Sequence, residues 1–146
     1  MDKLHVKLLR KNAKLPENQT SGSAGYDLSA CIEEPVTIAP GQTHLVGSGI
    51  AIALTPGYAA FVYARSGLGI KYGIVPANCV GVIDFDYRGE IIVALKNTSN
   101  EPFTVSPGDR IAQMVITKCE LPELIQSDEL EETKRGDGGF GSTGSK

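Results

Sequence analysis

The chain has 146 residues, the size of one ordinary domain, and its 41% hydrophobic and 21% charged side chains are enough to build a core. Its formal charge of −3 excludes a general nucleic-acid binder, which carries a basic excess against phosphates, but leaves room for a small anionic substrate held by a few converging Arg and Lys residues. No run approaches the ~18 apolar residues of a membrane span, and Met1–Val6 lacks the apolar stretch of a signal peptide. The expected setting is therefore cytoplasmic, or the host cytoplasm or nucleus if the chain is viral.

Taken in chain order, strand signals dominate. Leu4, Val6 and Leu8 are spaced by His5 and Lys7, and Ile50, Ile52 and Leu54 are spaced by Ala51 and Ala53. Phe61–Tyr63 and Glu90–Leu95 are rich in β-formers, and Pro40-Gly41, Pro56-Gly57 and Pro107-Gly108 punctuate the runs as turns. Many short strands between turns predict an all-β sandwich, jelly roll or distorted barrel. One short helix is predicted to start near Ser66, and acidic Glu120–Glu132 reads as an extended connector. Cys31, Cys79 and Cys119 are odd in number and contain no CxxC pair, so they read as reduced, buried thiols. With only His5 and His44 beside them, a His/Cys zinc site is not expected.

Five segments carry candidate chemistry. Ala24–Ala30 contains Asp27, a metal-holding acid or simply a turn residue. Ala64-Arg65-Ser66-Gly67-Leu68-Gly69 offers an Arg, a hydroxyl and glycine amides, a phosphate cradle or an ordinary surface turn. Asn78–Glu90 reads as a β-hairpin turning around Asp84–Gly89; turns favour Asp86 and Gly89, whereas Asp84 after Gly-Val-Ile also suits a general base. Gly108–Val115, with Gln113, reads as a turn into a core strand. Gly136–Gly144 holds five glycines in nine residues, a flexible tail unless Arg135, Phe140, Ser142 and Thr143 give it a ligand to close upon. It is not a Walker loop, since GxxxxGK[ST] is absent from the chain.

In order and spacing, these five segments resemble the five motifs of the trimeric dUTPase family, from Ala24 to Gly144. Gly81-Val82-Ile83-Asp84-Phe85-Asp86-Tyr87-Arg88-Gly89-Glu90 and the run Arg135–Gly144 are the most specific strings. The resemblance implies a jelly-roll domain over residues 1–132, a flexible lid over 133–146, and a homotrimer with shared active sites. It implies hydrolysis of dUTP to dUMP and pyrophosphate with Mg²⁺, which keeps uracil out of DNA and supplies dUMP for dTMP synthesis. Asp84 is then the residue that holds the sugar 3′-OH and activates water, and Tyr87 packs on the sugar where a ribose 2′-OH would stand. Asn78 and the backbone of Gly81, Val82 and Ile83 read uracil, and the tight turn rejects a 5-methyl group. Arg65, Ser66, Gly67 and Gln113 take phosphate. Asp27 holds Mg²⁺ through water. Arg135, Gly141, Ser142 and Thr143 grip the terminal phosphates while Phe140 stacks on the base. Arg88 is expected to hold the turn rather than touch substrate.

Departures from the family pattern are small: Ala64 stands where Pro is usual, Gly69 where Ala is usual, and Asp137 adds a charge to the lid. Two rivals remain at this level. A dCTP deaminase shares the fold but needs an acid–base Glu beside the base, and a non-catalytic dUTP-binding regulator would need neither Asp84 nor the lid.

Overall fold

A computed structural model describes residues 3–139 and shows the expected all-β architecture, with eleven strands and one short helix among those residues. The largest sheet runs β2 (Tyr26–Ser29), β11 (Arg110–Lys118), β6 (Tyr58–Tyr63), β8 (Gly81–Ile83), with every pairing antiparallel. A second sheet runs β4 (Thr43–Gly47), β9 (Ile92–Asn97), β7 (Ile74–Pro76). Two further pairs complete the fold: β1 (His5–Leu8) with β5 (Ile50–Ala53), and β10 (Phe103–Val105) with β3 (Val36–Ile38). Leu28, Ile38, Val46, Ile50, Ile74, Leu95, Ile111 and Met114 are fully buried between these layers. Their removal from water is the main stabilising term.

The three Pro-Gly pairs do what their chemistry requires. Gly41, Gly57 and Gly108 have φ of 75°, 81° and 82°, and in each case the backbone closes from the residue before Pro to the residue after Gly. The closing bonds are Gln42 N–H to Ala39 O (3.0 Å), Tyr58 to Thr55 (3.2 Å) and Asp109 to Ser106 (3.1 Å). Proline fixes the first turn dihedral and glycine supplies the left-handed second one, the type II combination. The helix α1 (Ser66–Tyr72) begins where predicted and ends at Gly73, whose φ is 66°. A Cβ at Gly73 would also strike the Ser99 backbone nitrogen at 2.9 Å.

Two expectations need correction. Asn78–Glu90 is not a hairpin: β8 pairs with β6, while the next strand, β9, already has β4 and β7 on its two edges. The Asp84–Glu90 turn is therefore a connection between two sheets, which a reading of local β-propensity cannot distinguish from a hairpin. The strand predicted around Ile50 is present and is covered on both faces, with Ile50, Ala51, Ile52 and Leu54 all buried. Alanine is small enough to lie under a covering layer on the second face. Of the three free cysteines, only Cys31 is buried; Cys79 is exposed and Cys119 intermediate.

Asn97 is fully buried with all of its polar atoms satisfied. Its Nδ2 donates to the carbonyls of Ile38 (2.9 Å) and Glu101 (2.7 Å), and its Oδ1 accepts from Ser99 N–H (2.9 Å) and Oγ (2.8 Å). Asn97→Leu keeps the volume but strands these backbone groups. It is expected to cost about 3 kcal/mol in chemical denaturation, and a loss near zero contradicts this accounting.

Candidate active site

Six of the predicted site residues converge on one cleft. Asn78, Gly81, Val82, Ile83, Asp84 and Tyr87 line it together with Val62, Pro76, Glu90 and the start of β9. The β6–β8 register, Val62 opposite Gly81 and Ala60 opposite Ile83, sets this wall. A Cβ at Gly81 would lie 3.2 Å from that of Val62, so glycine lets the two backbones approach closely. The chain then turns, with Tyr87 N–H donating to Asp84 O at 3.2 Å. Arg88 Nη1 donates to the carbonyls of Phe85 (2.6 Å) and Tyr87 (2.9 Å), so it holds the loop, as expected from the sequence. Asp84 is exposed, and its carboxylate takes no hydrogen bond from the described residues. Among the described residues nothing competes with a water for it.

A second cleft gathers the predicted phosphate residues: Arg65, Ser66, Gly67, Gln113 and Asp27, beside Gln19, Ser23, Ala24 and Gly25. Its frame is one rung across three strands, in which Gln113 of β11 lies opposite Asp27 of β2 and Tyr63 of β6. Two residues beyond Tyr63, Arg65 turns into α1, and Gln113 Nε2 donates to Ala64 O at 2.8 Å. Asp27 is an anchor for cations: Arg65 Nε donates to Oδ1 at 2.8 Å and Arg110 Nη1 to Oδ2 at 3.1 Å. Gly69 faces Val75 with ordinary contact distance for a Cβ, 3.5 Å, so an alanine fits there.

No residue lines both clefts, and the first measures about 230 Å³, below the roughly 300–1,000 Å³ of a complete ligand pocket. Arg135 belongs to neither; it is exposed, and its Nε donates to Gly138 O at 2.9 Å in a turn closed by Gly138 N–H to Arg135 O. Phe140, Gly141, Ser142 and Thr143 lie outside the described residues. Among the described residues no group of three or more His, Cys, Asp or Glu side chains is placed to cage a metal. No described helix is long and apolar enough to cross a membrane.

Three participants escaped the sequence reading. Glu90 lines the first cleft, and Arg10, eighty residues earlier, grips it through two bonds of 2.6 Å. Glu90 closes the motif string and is visible as such, but Leu9-Arg10-Lys11 carries no signal that could have paired the two. Arg110, the second cation on Asp27, falls in a segment whose sequence signals only a turn into a core strand.

Comparison with known proteins gives the family. A family model described as dUTPase matches residues 11–144. The chain belongs to the dUTPase family. A deoxyuridine 5'-triphosphate nucleotidohydrolase from Idiomarina loihiensis is 49% identical, covering 99% of each chain, and one from Desulfitobacterium hafniense is 52% identical over 97% of this chain and 96% of the relative. Among solved dUTPases, that of Staphylococcus bacteriophage 80alpha with dUpNHpp superposes with a TM-score of 0.86 at 31% identity, covering 99% of each chain. The phage phi11 dUTPase, described as coordinating a structural Mg(II) ion, gives 0.82 at 27% identity over 90% of this chain and 100% of that one.

The Arg10–Glu90 pair also carries a pH signature. Hydrogen bonding from Arg10, aided by the Gly49 N–H and opposed by burial, holds the Glu90 carboxyl below its ordinary value, and the same pairing raises the Arg10 guanidinium. A depressed folded value means the contribution is complete above the unfolded glutamate value and is lost as pH falls through the folded one. Glu90→Gln is therefore expected to unfold in acid with a shallower pH dependence below about 4.5 than the native chain. Identical profiles contradict the assignment.

Proposed function

We propose that this dUTPase-family chain hydrolyses dUTP to dUMP and pyrophosphate through a water activated by Asp84, in active sites shared by three copies of the chain. The observation that carries the reading is the convergence of Asn78, Gly81–Ile83, Asp84 and Tyr87 on one cleft. Asp84 takes a proton from the water, whose oxygen bonds to the α-phosphorus as the bond to the bridging oxygen of the leaving pyrophosphate breaks. The same carboxylate positions the sugar 3′-OH. Asn78 and the backbone of Gly81, Val82 and Ile83 read the uracil edge, and the Tyr87 ring occupies the place a ribose 2′-OH needs.

Arg65, Ser66, Gly67 and Gln113 hold the phosphates, where fixed donors neutralise developing charge. Two observations support a shared site. The base-reading and phosphate-holding clefts of one chain have no residue in common. Leu121, Leu124, Ile125 and Leu130 stand largely exposed on the described segment after β11, apolar surface for a partner copy to cover. In the homotrimer the tail of one copy closes over a pocket formed by the others: Arg135, Gly141, Ser142 and Thr143 meet the terminal phosphates, and Phe140 stacks on uracil for about 1–3 kcal/mol.

The donor set suits Mg²⁺ in one mode only. Both Asp27 oxygens already accept from arginines, so Asp27 meets the ion through water. Mg²⁺ keeps several waters and takes substrate oxygens readily, and when bound it neutralises phosphate charge. The chain's own part is to fix Arg65, through Asp27, at the edge of the phosphate cleft. The reading places the reaction in the cytoplasm, or in host cytoplasm or nucleus for a viral chain, and involves neither nucleic acid nor membrane.

Pyrophosphate release from dUTP, dTTP, dCTP and UTP with Mg²⁺ tests it. Native protein should turn over dUTP selectively, and Asp84→Asn should lose about 10²–10⁴-fold in kcat while still binding dUTP. Near-native turnover by the variant moves the base elsewhere. Ammonia from dCTP, or binding without turnover, replaces the reading with one of its rivals.

A further inference from the structure

Tyr87 is half exposed, so core packing does not fix its ring. What holds it is its hydroxyl, which donates to the backbone carbonyl of Glu90 at 3.0 Å. Gly89 lies beneath, and a Cβ there would collide with the tyrosine oxygen. The position of the ring thus depends on the position of Glu90.

Glu90 is fastened from a distant part of the chain. Arg10 Nη1 and Nη2 each donate to one carboxylate oxygen at 2.6 Å, and Gly49 N–H donates to Oε1 at 2.8 Å. Leu9 N–H in turn donates to Gly49 O at 2.8 Å, tying the Arg10 segment to the same corner. Gly47 is required beside the carboxylate, because a Cβ would strike it. The next residue is also pinned: Ile91 N–H donates to Ile50 O (2.9 Å), and Ile91 O accepts from Ser48 N–H (3.0 Å) and Oγ (2.6 Å). The Glu90 side chain is 15% exposed and that of Arg10 47%. A forked, partly sheltered pair of this kind is stronger and more directional than an ordinary surface pair.

We propose that Arg10 and Glu90 are positioning residues for sugar selection: their fork sets where the Tyr87 ring stands in the nucleoside cleft, and so how sharply 2′-deoxyribose is preferred to ribose. This rests on the proposed role of Tyr87 as the group that excludes a 2′-OH. A hydroxyl is small, and displacing a packing group by a fraction of an ångström changes whether one fits. Neither residue needs to touch the substrate.

Steady-state kinetics on full-length protein with dUTP and UTP test this, using Arg10→Gln, Arg10→Lys, Glu90→Gln and Tyr87→Phe. Arg10→Gln should raise KM for dUTP, leave kcat within about twofold, and lower the dUTP-to-UTP ratio of kcat/KM about tenfold, the worth of one charge-assisted hydrogen bond. Glu90→Gln and Tyr87→Phe should lower the ratio in the same direction, and Arg10→Lys, which keeps the charge but loses the fork, should fall between. A purely structural staple predicts that rates on both nucleotides fall together with the ratio unchanged, and that result overturns the inference. A native protein with no preference for dUTP overturns the reading of Tyr87 as well. A native preference that survives in all four variants overturns the inference alone. Arg10 is half exposed and Tyr87→Phe keeps the ring, so these two positions stay informative if Glu90→Gln folds poorly.

Discussion

Strand β11 is the element on which both clefts depend. It is hydrogen-bonded on one edge to β2 and on the other to β6, and Ile111, Ala112 and Met114 along it are 1% exposed or less. A register slip of one residue would turn Gln113 into the core and Met114 to the surface, so the apolar residues lock the polar one in place. With Gln113 fixed, Asp27 and Tyr63 fall on the same rung, and Arg65 and Ser66 follow at the start of α1. The other edge of β6 carries β8, whose three residues lead directly to Asp84. Hydrophobic burial thus sets the registers, and the registers place the polar groups.

Charge is divided between the two clefts in a way that suits a nucleoside triphosphate. Asp84 presents an unpaired carboxylate in a wall made largely of apolar side chains and backbone. Around the second cleft Asp27 is neutralised by two arginines, leaving one net positive charge in that trio for phosphate. A carboxylate and a cationic cradle in one pocket would partly cancel each other. Placement in two separate clefts of the fold avoids that cancellation.

Much of this was legible in the sequence, for identifiable reasons. Pro-Gly turns announce themselves because proline fixes φ at the first turn position and glycine admits the positive φ of the second, and all three pairs lie where expected. The helix start at Ser66 was legible from the glycines around it, and the clustering of Asn78 with Asp84 and Tyr87 from their shared motif. Strand partnership was not legible. Whether Gly81–Ile83 pairs forward with β9 or back with β6 depends on which edges of β9 are already occupied, and that is decided by residues 43–47 and 74–76. The Arg10–Glu90 fork was hidden for the same reason, since a contact across eighty positions leaves no local pattern. The second-face burial of Ala51 also comes from neighbours distant in sequence.

The central claim, attack of water on the α-phosphorus, is tested most directly by a single turnover of dUTP in ¹⁸O-labelled water, with mass analysis of both products. Attack at the α-phosphorus puts one heavy oxygen in dUMP and none in pyrophosphate. Label in pyrophosphate would mean that the β-phosphorus is attacked, and the alignment of Asp84 with the α-phosphate described above would be wrong.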